Sequence, residues 1–110
     1  MAMDDPRKLF EQRDHYQILD VREPFEWDAG RIEGAVHVPL AEVMAGGERG
    51  RLDPERPVAV VCKVGTRSEL ATMMLRARGF DAENLDGGME GWDAAGLPYS
   101  AADGRPGRVA

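Results

Sequence analysis

Two kinds of apolar pattern alternate along this chain. Short unbroken runs occur within residues 17–21, at 35–38 and at Val58–Val61, each stopped by a proline, a charge or a loop residue. A brief continuous apolar run bounded by turn residues is a strand covered on both faces. Between the runs, apolar residues fall at helical spacing. Leu70, Ala71, Met74, Leu75 and Ala77 or Arg78 make residues 68–78 the strongest predicted helix, with Gly79 where a C-terminal cap belongs. Shorter helices are predicted over 6–13, with Asp5 as cap and Leu9 facing inward, over 24–29, ended by Gly30, over 40–44, and from Gly87-Gly88 through Trp92 to Ala95. Residues 82–85 read as a weaker strand. Strands alternating with helices give an α/β fold, a mostly parallel sheet of four to five strands with helices on both faces.

Composition narrows this picture. At 110 residues the chain is predicted to be one domain, over residues 1–98. Residues 99–110 are small, polar and glycine-rich and are expected to be a disordered tail. Residues 46–57 mix glycine, proline and charges of both signs, a surface loop and the best candidate for a mobile flap. A net charge of −6 offers no basic stripe for nucleic acid. No run approaches the roughly 18 apolar residues of a membrane span, and the first residues lack the features of a signal peptide. The expectation is a cytoplasmic protein without nucleic-acid or membrane partners. One cysteine and two distant histidines assemble no metal site.

That cysteine is the centre of the candidate chemistry. Cys62 follows the most apolar run, and Lys63, Val64, Gly65, Thr66, Arg67 and Ser68 lead from it into the strongest helix. Ligands of open α/β sheets sit at such strand ends, where loop amides and a helix start favour an anion, thiolate included. An unperturbed thiol, with a pKa of about 8.5, is only slightly ionised at neutral pH. No histidine lies in the loop to act as base, so the expected activator is a ring of amides from 63 to 68, with Lys63 and Arg67 adding positive charge. Gly65 is expected at positive φ. Plainer roles are available for each. A lone cysteine is usually a small buried hydrophobe, Thr66 and Ser68 can simply cap the helix, and Lys63 can be a solvated loop charge. A cation at a helix start, as at Arg67, needs a compensating anion. Asp20, Arg22 and Glu23 read as structural support, an ion-pair and capping set beside the site. His37, Trp27 and Trp92 read as packed residues.

Three blocks carry a resemblance. Leu19-Asp20-Val21-Arg22-Glu23-Pro24-Phe25-Glu26-Trp27 with Gly30-Arg31-Ile32-Glu33-Gly34-Ala35-Val36-His37-Val38-Pro39, then Cys62 to Ser68, then Gly79-Phe80 with Leu85-Asp86-Gly87-Gly88-Met89-Glu90-Gly91-Trp92, resemble the opening, active-site and closing motifs of rhodanese-like domains. The resemblance implies a three-layer α/β/α fold with a five-stranded sheet, and a persulfide carried on Cys62 with no other cofactor. Two features depart from it. Arg31 stands where many members have histidine, and the short segment before Ile18 implies a first edge strand missing or reduced to a few residues near Met3. Cys62 to Arg67 is a C-x4-R pattern, one residue shorter than the C-x5-R of cysteine phosphatases that share the fold, which suits one extra sulfur better than a phosphate.

The resemblance therefore implies a sulfurtransferase that takes sulfane sulfur from thiosulfate or a protein persulfide and passes it to a thiol, cyanide or a carrier protein. A cysteine desulfurase and a ubiquitin-like sulfur carrier are the implied protein partners. The alternatives are a non-catalytic docking or sensor module on the same scaffold, and a small phosphatase or arsenate-type reductase.

Overall fold

The computed structural model describes residues 2–110; Met1, where the expected domain begins, lies outside them. Strands β1 (Ala2–Met3), β2 (Gln17–Asp20), β3 (Val36–His37), β4 (Val58–Val61) and β5 (Ala82–Leu85) form one sheet in the order β1-β5-β4-β2-β3. All pairings are parallel. The edge strand expected near Met3 is two residues long and pairs Ala2 with Asn84 and Met3 with Leu85. Helices α1 (Pro6–Glu11), α2 (Pro24–Ala29), α3 (Leu40–Met44), α4 (Thr66–Ala77) and α5 (Gly88–Ala94) complete the fold.

β4 is buried along its whole length, which is why its sequence does not alternate. Its side chains nevertheless divide by parity. Val58, Val60 and then Cys62 join Val43, Ala71 and Leu75 in one core, under α3 and α4. Ala59 and Val61 join Leu9, Met89 and Trp92 in the other, under α1 and α5. The sheet is thus filled on both faces, and Cys62 belongs to the α4 side.

α4 buries Ser68, Ala71, Thr72 and Leu75, an i, i+3, i+4, i+7 stripe. Leu70, expected to face inward, is 44% exposed. It lies two residues from Ser68, so it points away from a stripe that begins there. The helix ends as expected at Gly79, where the Gly79 N–H donates to the Arg76 carbonyl and the Phe80 N–H to that of Leu75, both at 3.0 Å.

From β2 the chain moves outward to β3, and from β4 it moves the opposite way to β5. The loops leaving β2 and β4 therefore diverge, opening a crevice at the carboxyl ends of two adjacent strands. Residues 20–26 and 62–68 meet there.

Two expectations are corrected. Residues 46–57 do not form a flap over Cys62. They run to Pro57, at the opposite end of β4, and are pinned there by buried Leu52 and Glu48. Glu48 Oε1 accepts from Arg78 Nη1 at 2.8 Å, so the charges that suggested a solvated loop anchor it to the end of α4. Nor are residues 99–110 a disordered tail. Ser100 bridges to Arg31 and Pro106, the Ala102 N–H donates to Asp28 O and the Arg108 N–H to Ala29 O, both at 3.0 Å. Glycine is the reason. A Cβ on Gly107 would come within 2.5 Å of the Tyr99 ring and one on Gly30 within 2.7 Å, so the small residues that suggested disorder instead allow close packing.

Candidate active site

Cys62 is fully buried and surrounded on one side by the apolar α4 core. On the other side, polar hydrogens point at it. The Gly65 N–H donates to Sγ at 3.1 Å and the Ser68 hydroxyl donates at 3.2 Å. Burial pushes the thiol pKa up, but the Ser68 hydroxyl and the main-chain N–H groups of Ser68, Gly65 and Val64 outweigh it and hold the thiol below its ordinary value. Ser68 is thus a donor to sulfur rather than a cap. Thr66 does not cap either; the N-cap is Gly65, at φ +105° with no side-chain bond.

The amides face inward because the carbonyls are held from outside. Glycines at positive φ, Gly87 and Gly88, turn the chain into α5 directly behind the loop. There the Met89 N–H donates to the Cys62 carbonyl at 2.8 Å and the Glu90 N–H to the Lys63 carbonyl at 3.0 Å. A trans peptide places N–H opposite C=O, so the Lys63 and Val64 N–H groups point away from α5, and that of Val64 reaches the sulfur. Orphan donors at the start of one helix are satisfied by the loop that opens another. Among the described residues, the N–H groups of Lys63, Thr66 and Arg67 have no protein acceptor. Val64 is exposed, and the half-buried Lys63 has no ion pair among the described residues.

Arg67 does have its compensating anion, and it belongs to the protein. Nη1 and Nη2 donate to the two carboxylate oxygens of Glu26 at 2.7 and 2.9 Å. This bidentate pair uses two of the five guanidinium N–H donors, so a carboxylate of the protein supplies the anion that a cation at the helix start requires. Arg67 hydrogen bonding holds the Glu26 carboxyl below its ordinary range against the opposing effect of burial. Glu26 stands in the opening motif, but the sequence reading gave it no role at the site. Its signal was a carboxylate three residues after Glu23, where the capping box of α2 places it: Glu26 Oε1 accepts from the Glu23 N–H at 3.0 Å.

Asp20, Arg22 and Glu23 build the wall that holds Glu26. Arg22 is wholly buried, with Nε and Nη2 on the Asp20 carboxylate, Nη2 on the Gly30 carbonyl at 2.7 Å and Nη1 on the Glu26 carbonyl at 3.3 Å. Asp20 Oδ1 also accepts from the Arg22 N–H at 3.0 Å, and Glu23 is the N-cap of α2. His37 Nε2 lies 2.7 Å from the Arg22 carbonyl, its ring stacked on Trp27. Arg31 covers the other side of that stack, 4.9 Å from the Trp27 ring centre. No group of three His, Cys, Asp or Glu among the described residues could hold a metal ion, and no helix there is long and apolar enough to cross a membrane.

A parallel sheet carrying a cysteine in a collar of amides at its switch point defines a class of thiol-centred α/β domain, and comparison with known proteins names the family. The family model described as a rhodanese-like domain matches residues 4–95. The chain belongs to the rhodanese-like domains. It is 35% identical over 91 residues to a probable adenylyltransferase/sulfurtransferase, MoeZ, of Mycobacterium tuberculosis, covering 82% of this chain but 21% of that protein. The chain therefore spans about a fifth of that relative. It is 34% identical over 94 residues to the thiosulfate sulfurtransferase GlpE of Actinobacillus succinogenes, covering 84% of this chain and 83% of that one. Among solved structures, a rhodanese-related protein from Thermoplasma volcanium superposes with a TM-score of 0.83 at 30% identity, over 90% of this chain and 97% of that one.

Proposed function

We propose that this protein is a sulfurtransferase working through a persulfide on Cys62. The observation that carries the reading is the set of N–H and O–H donors on Sγ, with further loop amides left unpartnered beyond it. These donors favour a thiolate, the form that attacks sulfur. The thiolate attacks the outer sulfur of a donor. With thiosulfate, an S–S bond forms to Cys62, the donor's own S–S bond breaks, and sulfite leaves with the electron pair. With a protein persulfide, a thiolate leaves instead. The new terminal sulfur, an anion, is met by the free loop amides. A second nucleophile (cyanide, a thiol or a carrier protein) then takes that sulfur and returns Cys62 to the thiolate. Complete burial of the cysteine favours a donor that presents a small terminal sulfur over one that presents a bulkier group. Sulfurtransferase relatives, one matched over 83% of its length and one over 21%, support the chemistry, and a relative from Bacillus subtilis described as a putative sulfur carrier protein supports a protein partner.

A phosphatase would need Arg67 free to clasp phosphate, but its guanidinium is bound to Glu26. A docking module would have no use for an acidified thiol. The test is intact mass after incubation with thiosulfate or a small persulfide, followed by cyanide. Wild type should gain about 32 Da per added sulfur and release thiocyanate; Cys62→Ser should do neither. A wild type that gains no sulfur from any donor defeats the proposal.

A further inference from the structure

Asn84 lies on β5, next to β4, and is 4% exposed. Its Nδ2 donates to the Gly65 carbonyl at 3.1 Å and to Asp86 Oδ1 at 2.8 Å. Its own Oδ1 is buried with no hydrogen-bond partner among the described residues. The amide cannot be flipped to relieve that oxygen, because both neighbours of Nδ2 are acceptors. A buried acceptor without a partner opposes folding. Leucine, of similar shape, would remove that cost and satisfy the packing. What asparagine supplies, and leucine would not, are donors to the exposed Asp86 carboxylate and, inside the fold, to the Gly65 carbonyl.

That carbonyl governs the collar. It belongs to the peptide whose N–H is that of Thr66, and a planar trans peptide points the two in opposite directions. Gly65 is also the residue at φ +105° whose own N–H reaches Cys62 Sγ. The Glu69 N–H reaches the same carbonyl from within α4, at 3.2 Å, so losing Asn84 would loosen the turn without leaving the oxygen unmade.

We propose that Asn84 is a positioning residue for the chemistry at Cys62. By holding the Gly65 carbonyl outward it keeps the Gly65 N–H on Sγ and aims the Thr66 N–H at the place of a transferred sulfur. The second effect rests on the sulfur-transfer reading; the first does not.

The test is the pH dependence of alkylation of Cys62, the sole cysteine, by iodoacetamide. Asn84→Leu and Asn84→Asp are compared with wild type, with Tm measured alongside. Asn84→Leu should move the reactivity profile to higher pH and slow alkylation at pH 7 by about three- to tenfold, the effect of one weakened hydrogen bond to a charged sulfur, while Tm stays or rises. Asn84→Asp, which cannot donate and adds negative charge, should move the profile further and serves as the probe if the leucine variant fails to fold. Sulfur loading, followed by mass, should slow in the same order. Profiles that coincide with wild type overturn the proposal, whatever Tm does. A wild type that alkylates readily yet gains no sulfur would remove only the part concerning Thr66.

Discussion

The two ends of the parallel sheet offer a ligand opposite things. At the amino ends of β2 and β3 a cavity of about 750 Å³ opens over Phe10, Ile18, Ile32 and Trp92. Its rim carries Arg13, Arg51 and Arg56, but also Asp14, Glu33 and Asp53, so the charges offset one another. At the carboxyl end Cys62 is fully buried, yet its sulfur receives hydrogen bonds from the Ser68 hydroxyl and from loop amides. Space without convergent donors leaves a group's acidity to desolvation, whereas aimed donors reverse it. The chemistry proposed for this protein belongs to the small end.

The comparison breaks most severely if the collar loses its backing. Gly88 has φ +56°, and a Cβ there would fall 2.6 Å from the Lys63 carbonyl carbon and closer still to the Cys62 carbonyl oxygen. Both are backbone, so neither can swing aside. Left-handed strain and overpacking together should cost roughly 2–4 kcal/mol, so Gly88→Ala should lower Tm by about 10–20 °C and move the pH profile of Cys62 alkylation upward. A folded Gly88→Ala protein with wild-type thiol reactivity would mean that α5 does not orient the loop.

A smaller effect is expected from Glu26→Gln, which breaks the Arg67 pair and leaves a partly covered guanidinium without its anion. About 1–2 kcal/mol is expected, less than for a fully buried pair because Arg67 is about a third exposed. The pH dependence has a definite sign. Because the folded-state pKa of Glu26 is lowered, first by Arg67, its stabilisation is complete above the ordinary value of 4.5 and is lost as pH falls through the depressed folded value. Urea midpoints of wild type and Glu26→Gln should therefore differ at pH 7 and converge below pH 4.5. Curves that stay parallel into acid would show that the pair adds nothing beyond packing.

Much of this was legible in the chain. Unbroken apolar runs marked β2, β3 and β4, and the glycine after α4 marked its end, because burial and backbone conformation act locally. The position of Cys62 after β4 and the positive φ of Gly65 belong to the same local class. What could not be read were partners separated in sequence. Nothing in the vicinity of Arg67 announces Glu26, 41 residues earlier, and nothing near Gly65 announces Asn84, 19 residues later. The C-terminal segment was misread for a related reason. Its glycines suggested freedom when considered alone, but Gly107 is a contact point for Tyr99 and Gly30 once the fold brings those residues near.

The weakest perturbation belongs to the roomy end. Arg56 Nη2 donates to the Asp14 and Tyr16 carbonyls at 3.2 and 3.1 Å, tying the loop before β4 to the segment before β2. Both acceptors remain able to bond water when the side chain is removed, so Arg56→Ala should cost under about 1 kcal/mol. The acceptors of Arg56, Asp14 and Tyr16, lie before β2, at the opposite end of the sheet from the donors on Cys62, so alkylation of Cys62 and sulfur uptake should stay within twofold of wild type, on the order of the scatter expected for a surface substitution. Stopped-flow alkylation at pH 7 reads this directly. A severalfold loss would show that the two ends of the sheet are coupled through β2 and β4, and the contrast drawn between them would then describe one site rather than two.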